Sequence, residues 1–184
     1  MNLEQWFQKG IPAQEYIRSM QNHQESTMKI LEQFQVPSKD EAFFSVLRQE
    51  NLRVIVITED WCGDAMLNVP ILLKLAEEAG IEVRMILRDQ NLELIDQYLT
   101  NGKSRAIPIF VFIDQEGQER AVWGPRAESI QTYVDGMRAQ LPPKEDEQFE
   151  EQQKEMYAKM MEKYTADNSF WADVYESIKT RLQK

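Results

Sequence analysis

Cys62 has the widest chemical reach in this chain. It is the single cysteine, and it sits in Thr58-Glu59-Asp60-Trp61-Cys62-Gly63-Asp64-Ala65, between a β-branched run and an apolar helical pattern. A sulfur at the first turn of a helix meets unpaired backbone N–H groups and the positive end of the helix dipole, and both favour thiolate over thiol. The thiolate is the form that attacks disulfides. Glu59, Asp60 and Asp64 place three carboxylates around that sulfur and oppose its ionisation. Trp61 supplies a flat apolar wall beside it. The competing expectation for a lone cysteine is a small buried hydrophobe.

One cysteine and one histidine, His23, exclude an intrachain disulfide and a Cys/His zinc cage. His23 lies in the polar run Gln21-Asn22-His23-Gln24-Glu25, which reads as a solvated helix face rather than the base of a nucleophilic triad. No ligands for a metal or a nucleotide are visible, so no cofactor is expected. The chain carries 31 acidic against 21 basic residues, net −10. Such a field repels phosphate backbones and anionic lipid, so neither nucleic acid nor membrane is an expected partner. The apolar run Ala106 to Ile113 contains Pro108 and is far shorter than the ~20 residues a spanning helix needs. The start, Met1 to Trp6, lacks a basic region followed by an apolar stretch, which together with the cysteine usage predicts a cytoplasmic address.

The elements that must position Cys62 follow from periodicity. Ile17, Met20, Met28, Leu31 and Phe34 predict one long amphipathic helix from Pro12 to Val36. Ser38 with Glu41 reads as a capping box opening a shorter helix through Phe43, Phe44 and Leu47. Arg53 to Thr58 is apolar enough for a central strand covered on both faces. Asp64 to Ala79 predicts a helix interrupted or bent at Pro70 and closed by Gly80. Ile81 to Leu87 alternates as a strand, Leu92 to Leu99 as a helix, and Ile107 to Ile113 as a strand whose hairpin partner is Glu119 to Trp123. Gly124-Pro125 then starts a helix reaching about Gln140. Residues 50–141 thus read β-α-β-α-β-β-α, a sheet flanked by helices. Beyond Pro143 glycine and proline vanish. Phe149, Met156, Met160 and Tyr164 form one helical stripe, and Phe170 to Leu182 another, with a break near Asn168-Ser169.

Two of these junctions carry a family resemblance. Trp61-Cys62-Gly63, between a buried strand and a helix, resembles the active-site turn of the thioredoxin family, whose usual form is Trp-Cys-Gly-Pro-Cys. Arg105-Ala106-Ile107-Pro108-Ile109-Phe110 is similar to that family's Ile-Pro at the start of the third strand, where the proline is cis and faces the cysteine turn. The resemblance covers about 90 residues and implies an α/β thioredoxin-like fold, a central mixed sheet flanked by helices, with additional N- and C-terminal helices. It also implies that Ile107 presents backbone polar groups to an extended substrate chain. The departures from the family pattern shape the chemistry. Ala65 replaces the second cysteine that would resolve a mixed disulfide, Asp64 replaces the proline of the turn, and Val56 replaces a buried acid that serves the second sulfur. The Cys-Gly-Phe-Ser turn of monothiol glutaredoxins is also missing, so an iron–sulfur cluster is not expected.

The expected organisation is an N-terminal helical region over residues 1–37 packed on the core, a thioredoxin-like domain over 38–141 and a helical extension over 142–184. The extension either covers the core or offers a surface for self-association into an oligomer. The expected activity is monothiol thiol–disulfide exchange through Cys62, with a disulfide-containing protein or a low-molecular-weight thiol as partner and an external thiol for resolution. In that reading Trp61, Gly63 and Asp64 shape the turn, and Ile107 and Pro108 hold substrate backbone. The alternative is a thioredoxin-fold binding module that uses the groove between Trp61 and Pro108 without catalysis.

Overall fold

The computed structural model describes residues 2–184. Its organising element is β2 (Arg53–Thr58), which is buried along its whole length because its Val/Ile run has neighbours on both edges and helices on both faces. β3 (Glu82–Leu87) runs parallel to it, with Val56 opposite Met85; β4 (Ile109–Ile113) runs antiparallel on the other side, with Val56 opposite Phe110. β5 (Glu119–Trp123) returns from β4 through a hairpin. In that turn one Asp114 carboxylate oxygen accepts the amides of Glu116 and Gln118, and Gly117 has positive φ. A short strand β1 (Ile11–Pro12) completes the order β1-β3-β2-β4-β5. The mixed sheet flanked by helices is the α/β thioredoxin-like fold expected, with additional helices at both ends.

The N-terminal region departs from the single long helix. It forms α1 (Leu3–Lys9), then β1, then α2 (Ala13–Ser19) and α3 (Gln24–Gln33). The break at residues 20–23 has a tertiary cause. The Asp60 carboxylate accepts the backbone amides of Gln21 and Asn22 and the Asn22 side-chain amide, and His23 enters the left-handed region at φ 57°. Pro12 is tolerated in β1 because that strand is a sheet edge, paired only with β3. The capping box at Ser38 does not form. A 3₁₀ turn (Ser38–Asp40) precedes α4 (Glu41–Gln49), Glu41 pairs with Arg48 at 2.7 Å, and Asp40 accepts from Tyr175 and Lys179.

α5 (Gly63–Ala79) runs through Pro70 as one helix and ends at Gly80 in the left-handed conformation, so of the interruption or bend expected at Pro70 the interruption does not occur. It is buried along most of its length and packs on α3, α4 and, from the far end of the chain, α9 (Asn168–Leu182). α6 is only Leu92–Ile95, shorter than the Leu92–Leu99 helix expected. Arg105 clamps Asp96 with two hydrogen bonds of 2.6 and 2.9 Å, and the chain turns back through Asn101 and Gly102, both at positive φ. β4 begins at Ile109 rather than Ile107, and α7 (Glu128–Ala139) begins after an extended stretch that leaves Gly124-Pro125 outside the helix. The C-terminal stripes become α8 (Phe149–Ala166) and α9, separated at Asp167, whose carboxylate accepts the Ser169 amide at 2.8 Å and pairs with Lys163 at 2.7 Å. Met156, Met160 and Tyr164 of α8 and Phe170, Trp171, Val174, Tyr175, Ile178 and Leu182 of α9 are buried. Among the described residues no helix is long and apolar enough to cross a membrane.

Candidate functional site

The carboxyl end of β2 delivers Thr58 to Gly63 to the start of α5, and Cys62 is the residue at the N-cap of that helix. Its thiol donates to the carbonyl oxygen of Ile107 at 3.5 Å, so the cysteine turn and the Ile107-Pro108 segment meet as the resemblance implies. The Ile107–Pro108 peptide is cis. Cys62 is only 9% exposed, whereas its neighbour Trp61 is 48% exposed. The two adjacent side chains therefore diverge, the sulfur inward and the indole outward. Arg88, at the end of β3, lies over the Trp61 ring with its guanidinium carbon 4.9 Å from the centroid, and Asp89 holds it there through a 2.7 Å pair.

Burial, and after it the charge of Asp64, pushes the Cys62 thiol up to about 11. The amides of Ala65 and Asp64 act in the opposite direction, favouring the thiolate as a helix N-terminus does, but they are outweighed. Of the three carboxylates near the sulfur, Asp64 is the one whose charge bears on it. Asp60 is committed to the 21–22 loop; burial would raise its carboxyl, but the amides of Gln21 and Asn22 hold it below its ordinary value. Glu59 is buried, which raises it, and accepts the Asp89 amide at 2.8 Å. Asp64 meets Arg126 in a bidentate pair, Nε to Oδ1 at 2.9 Å and Nη2 to Oδ2 at 2.6 Å, with both side chains about seven-eighths buried. Tyr164 of α8 adds a third hydrogen bond to Asp64 Oδ1 at 3.0 Å.

Gly124 borders this region as well. At φ +128° it lies so close to Pro108 that any Cβ would collide with the proline carbonyl. Asn68, fully buried on α5, donates to the carbonyl of Pro125 at 2.9 Å and ties that segment to the helix carrying Cys62. The structure thus brings together Cys62, Gly63, Asp64, Ile107 and Pro108, with Trp61 on the outer rim. Sequence reasoning missed the roles of Arg126 as the counter-ion of Asp64 and of Tyr164 and Met161 as neighbours of the turn. The apolar stripe of α8 marked Tyr164 as a buried residue, but nothing marked what it would meet. Among the described residues no cluster of His, Cys, Asp and Glu is arranged to hold a metal ion.

A five-stranded mixed sheet, a cysteine at the N-cap of its central helix and an Ile-Pro segment across from it define a thioredoxin-like protein with one thiol. The family model described as thioredoxin matches residues 10–142, most of the chain, and the chain belongs to that family. The match takes in β1, α2 and α3 from the N-terminal region and stops before α8. Among solved structures, the chain is similar to a protein of unknown function from Pseudomonas aeruginosa, with 18% identity, a TM-score of 0.64 and 98% of each chain covered. It is also similar to an HIV epitope scaffold, with 17% identity, a TM-score of 0.58, and 96% of this chain and 99% of that one covered. At these identities the likeness is one of fold, flanking helices included. No curated protein matches the chain.

Proposed function

We propose that the chain is a thioredoxin-fold binding protein, which takes an extended segment of a partner protein along the groove between Trp61 and Pro108 and performs no thiol exchange of its own. The observation that carries this reading is the divergence of residues 61 and 62. The indole is offered to solvent, while the thiol is buried, donates to the Ile107 carbonyl and is held protonated. Ala65 in the position of a resolving cysteine and Val56 in the position of the family's buried acid agree with it. An exposed aromatic face with a guanidinium stacked on it is the kind of anchor that protein interfaces favour.

Monothiol exchange through Cys62 is the second reading, favoured by one observation: the amides of Asp64 and Ala65 face the sulfur at the start of α5. In that reaction the Cys62 thiolate attacks a disulfide, one sulfur–sulfur bond breaks as another forms, and the departing thiolate takes up a proton. An external thiol then releases the mixed disulfide, since Ala65 cannot. A soluble address in the cytoplasm suits either reading.

The test is a peptide-binding screen with two variants. The binding reading expects affinity for extended peptides to survive Cys62→Ala and to fall at least about tenfold in Trp61→Ala, the loss typical of a central aromatic anchor. It is overturned if the folded protein forms a mixed disulfide with hydroxyethyl disulfide at pH 8 as fast as the urea-unfolded chain does.

A further inference from the structure

α8 meets the Cys62 turn through one continuous stripe. Met161, Tyr164 and Thr165 stand three and four residues apart, the spacing that puts side chains on one helical face. Met161 covers Gly63 so closely that a Cβ there would collide with its thioether end. Tyr164 gives its hydroxyl to Asp64 at 3.0 Å, and the Thr165 hydroxyl approaches the Met66 sulfur at 4.0 Å. Three of the first four residues of α5 are therefore met by α8, and Asp64 is held by Arg126 as well. The stripe lies outside residues 10–142, so the thioredoxin core receives this cover from an added segment.

The cover is unevenly held. At its C-terminal half, Met160 and Tyr164 are buried, and Asp167 is tied to Lys163 and Ser169. Beside its N-terminal half, where Met156 is still buried, a cleft of about 430 Å³ lined by Met137, Leu141, Gln148 and Gln152 among others opens toward the end of α7. The main contacts of α8 are with α3, α5 and α7 rather than with the strands, so the helix can open locally while the sheet keeps its pairing.

We infer that α8 is an intramolecular cap on the Cys62 turn, held shut by the Tyr164–Asp64 hydrogen bond and the Met161–Gly63 contact, and that local opening of this helix is what exposes the sulfur. The cap goes beyond both readings of the groove, since it governs access to Cys62 whether the groove only binds or also exchanges thiols.

Alkylation of Cys62 in the full chain by iodoacetamide tests the cap. The thiolate displaces iodide, forming a sulfur–carbon bond, and intact mass reads the product. The rate is measured at pH 8 across urea concentrations below the unfolding transition, beside equilibrium unfolding of the same proteins. A cap that opens locally gives a rate nearly flat in urea, since little surface is exposed, whereas exposure through global unfolding gives the full urea dependence. The expected result is a flat wild-type rate that rises about tenfold in Tyr164→Phe/Met161→Ala, the size set by one hydrogen bond to a charged group. Tyr157→Phe, on the exposed face of α8, leaves it unchanged. A wild-type rate that follows global unfolding overturns the cap, as does a double variant whose rate below the transition equals that of wild type.

Discussion

Asp64 and Arg126, 62 residues apart in the chain, close a bidentate ion pair directly beside the cysteine turn. Because both side chains are mostly buried, removing one leaves an uncompensated charge in a poorly solvated place. Arg126→Met is therefore expected to destabilise the fold by about 3 kcal/mol. Asp64→Leu/Arg126→Met, which removes both charges, should cost clearly less than the sum of the two single changes. Urea unfolding of the four proteins of this cycle measures the coupling. Independent, additive costs would show that the pair is solvated in solution.

Cys62 makes the chain's stability depend on pH in the alkaline range. Its folded value, about 11, lies above the ~8.5 of a free cysteine. Between these values the folded state keeps the proton and the unfolded state releases it, so the unfolded state binds fewer protons and stability falls as pH rises. The contribution is complete below about pH 8.5 and is lost as pH climbs toward 11. Cys62→Ala should show a shallower loss of stability over that window, read as the difference between the two urea-unfolding series. Parallel series would mean that the thiol titrates normally in the folded protein. The alkylation rate of the folded protein should likewise keep rising past pH 9 instead of levelling.

Two glycines at the site should respond differently to the same small change. At Gly124 the clash is with the backbone carbonyl of Pro108 and φ is positive, so neither partner can yield. Gly124→Ala is expected to cost about 3 kcal/mol. At Gly63 the clash is with the flexible end of Met161, so Gly63→Ala should cost about 1 kcal/mol and be largely rescued by Met161→Ala. Thermal unfolding of the variants checks both, and absence of rescue would mean that Met161 is not what limits space at Gly63.

Asp60 fastens the N-terminal helices to the residue before Trp61. Asp60→Ala should expose the Gln21 and Asn22 amides to hydrogen exchange and cost about 2 kcal/mol, in keeping with charge-assisted bonds to backbone donors. The carboxyl lies below its ordinary value when folded, so this contribution is present above the unfolded carboxyl range near pH 4 and fades as pH falls through the lower folded value. Amide exchange that stays slow at Gln21 and Asn22 in the variant would show that the loop is held by something other than this carboxylate.

What was legible in the chain beforehand divides along a physical line. β2, α5, the β4–β5 hairpin and the two C-terminal helices were readable because each is specified locally, by a β-branched run, a helical stripe closed by Gly80, the turn chemistry of Asp114 to Gly117, or a stripe broken near Asn168. The meeting of Cys62 with Ile107 was readable through the two quoted motifs. The long helix over residues 12–36 was misread because its break depends on Asp60, some 38 residues further on. The span of α6 is shorter than expected although Asp96 keeps helical φ/ψ and its amide bonds the Leu92 carbonyl; past it the chain goes into the turn through Asn101 and Gly102. The Tyr164–Asp64 contact spans 100 residues, and no local pattern reports a partner at that distance.

The opposed directions of Trp61 and Cys62 separate relief from reactivity at this turn. The outer face of the bend is an indole with a guanidinium laid across it, and the sulfur lies a layer beneath. Altering position 62 therefore removes the thiol and leaves the outer surface nearly intact. Altering position 61 redraws that surface and spares the sulfur, so a pair of single replacements probes the two neighbours on the same bend of backbone separately.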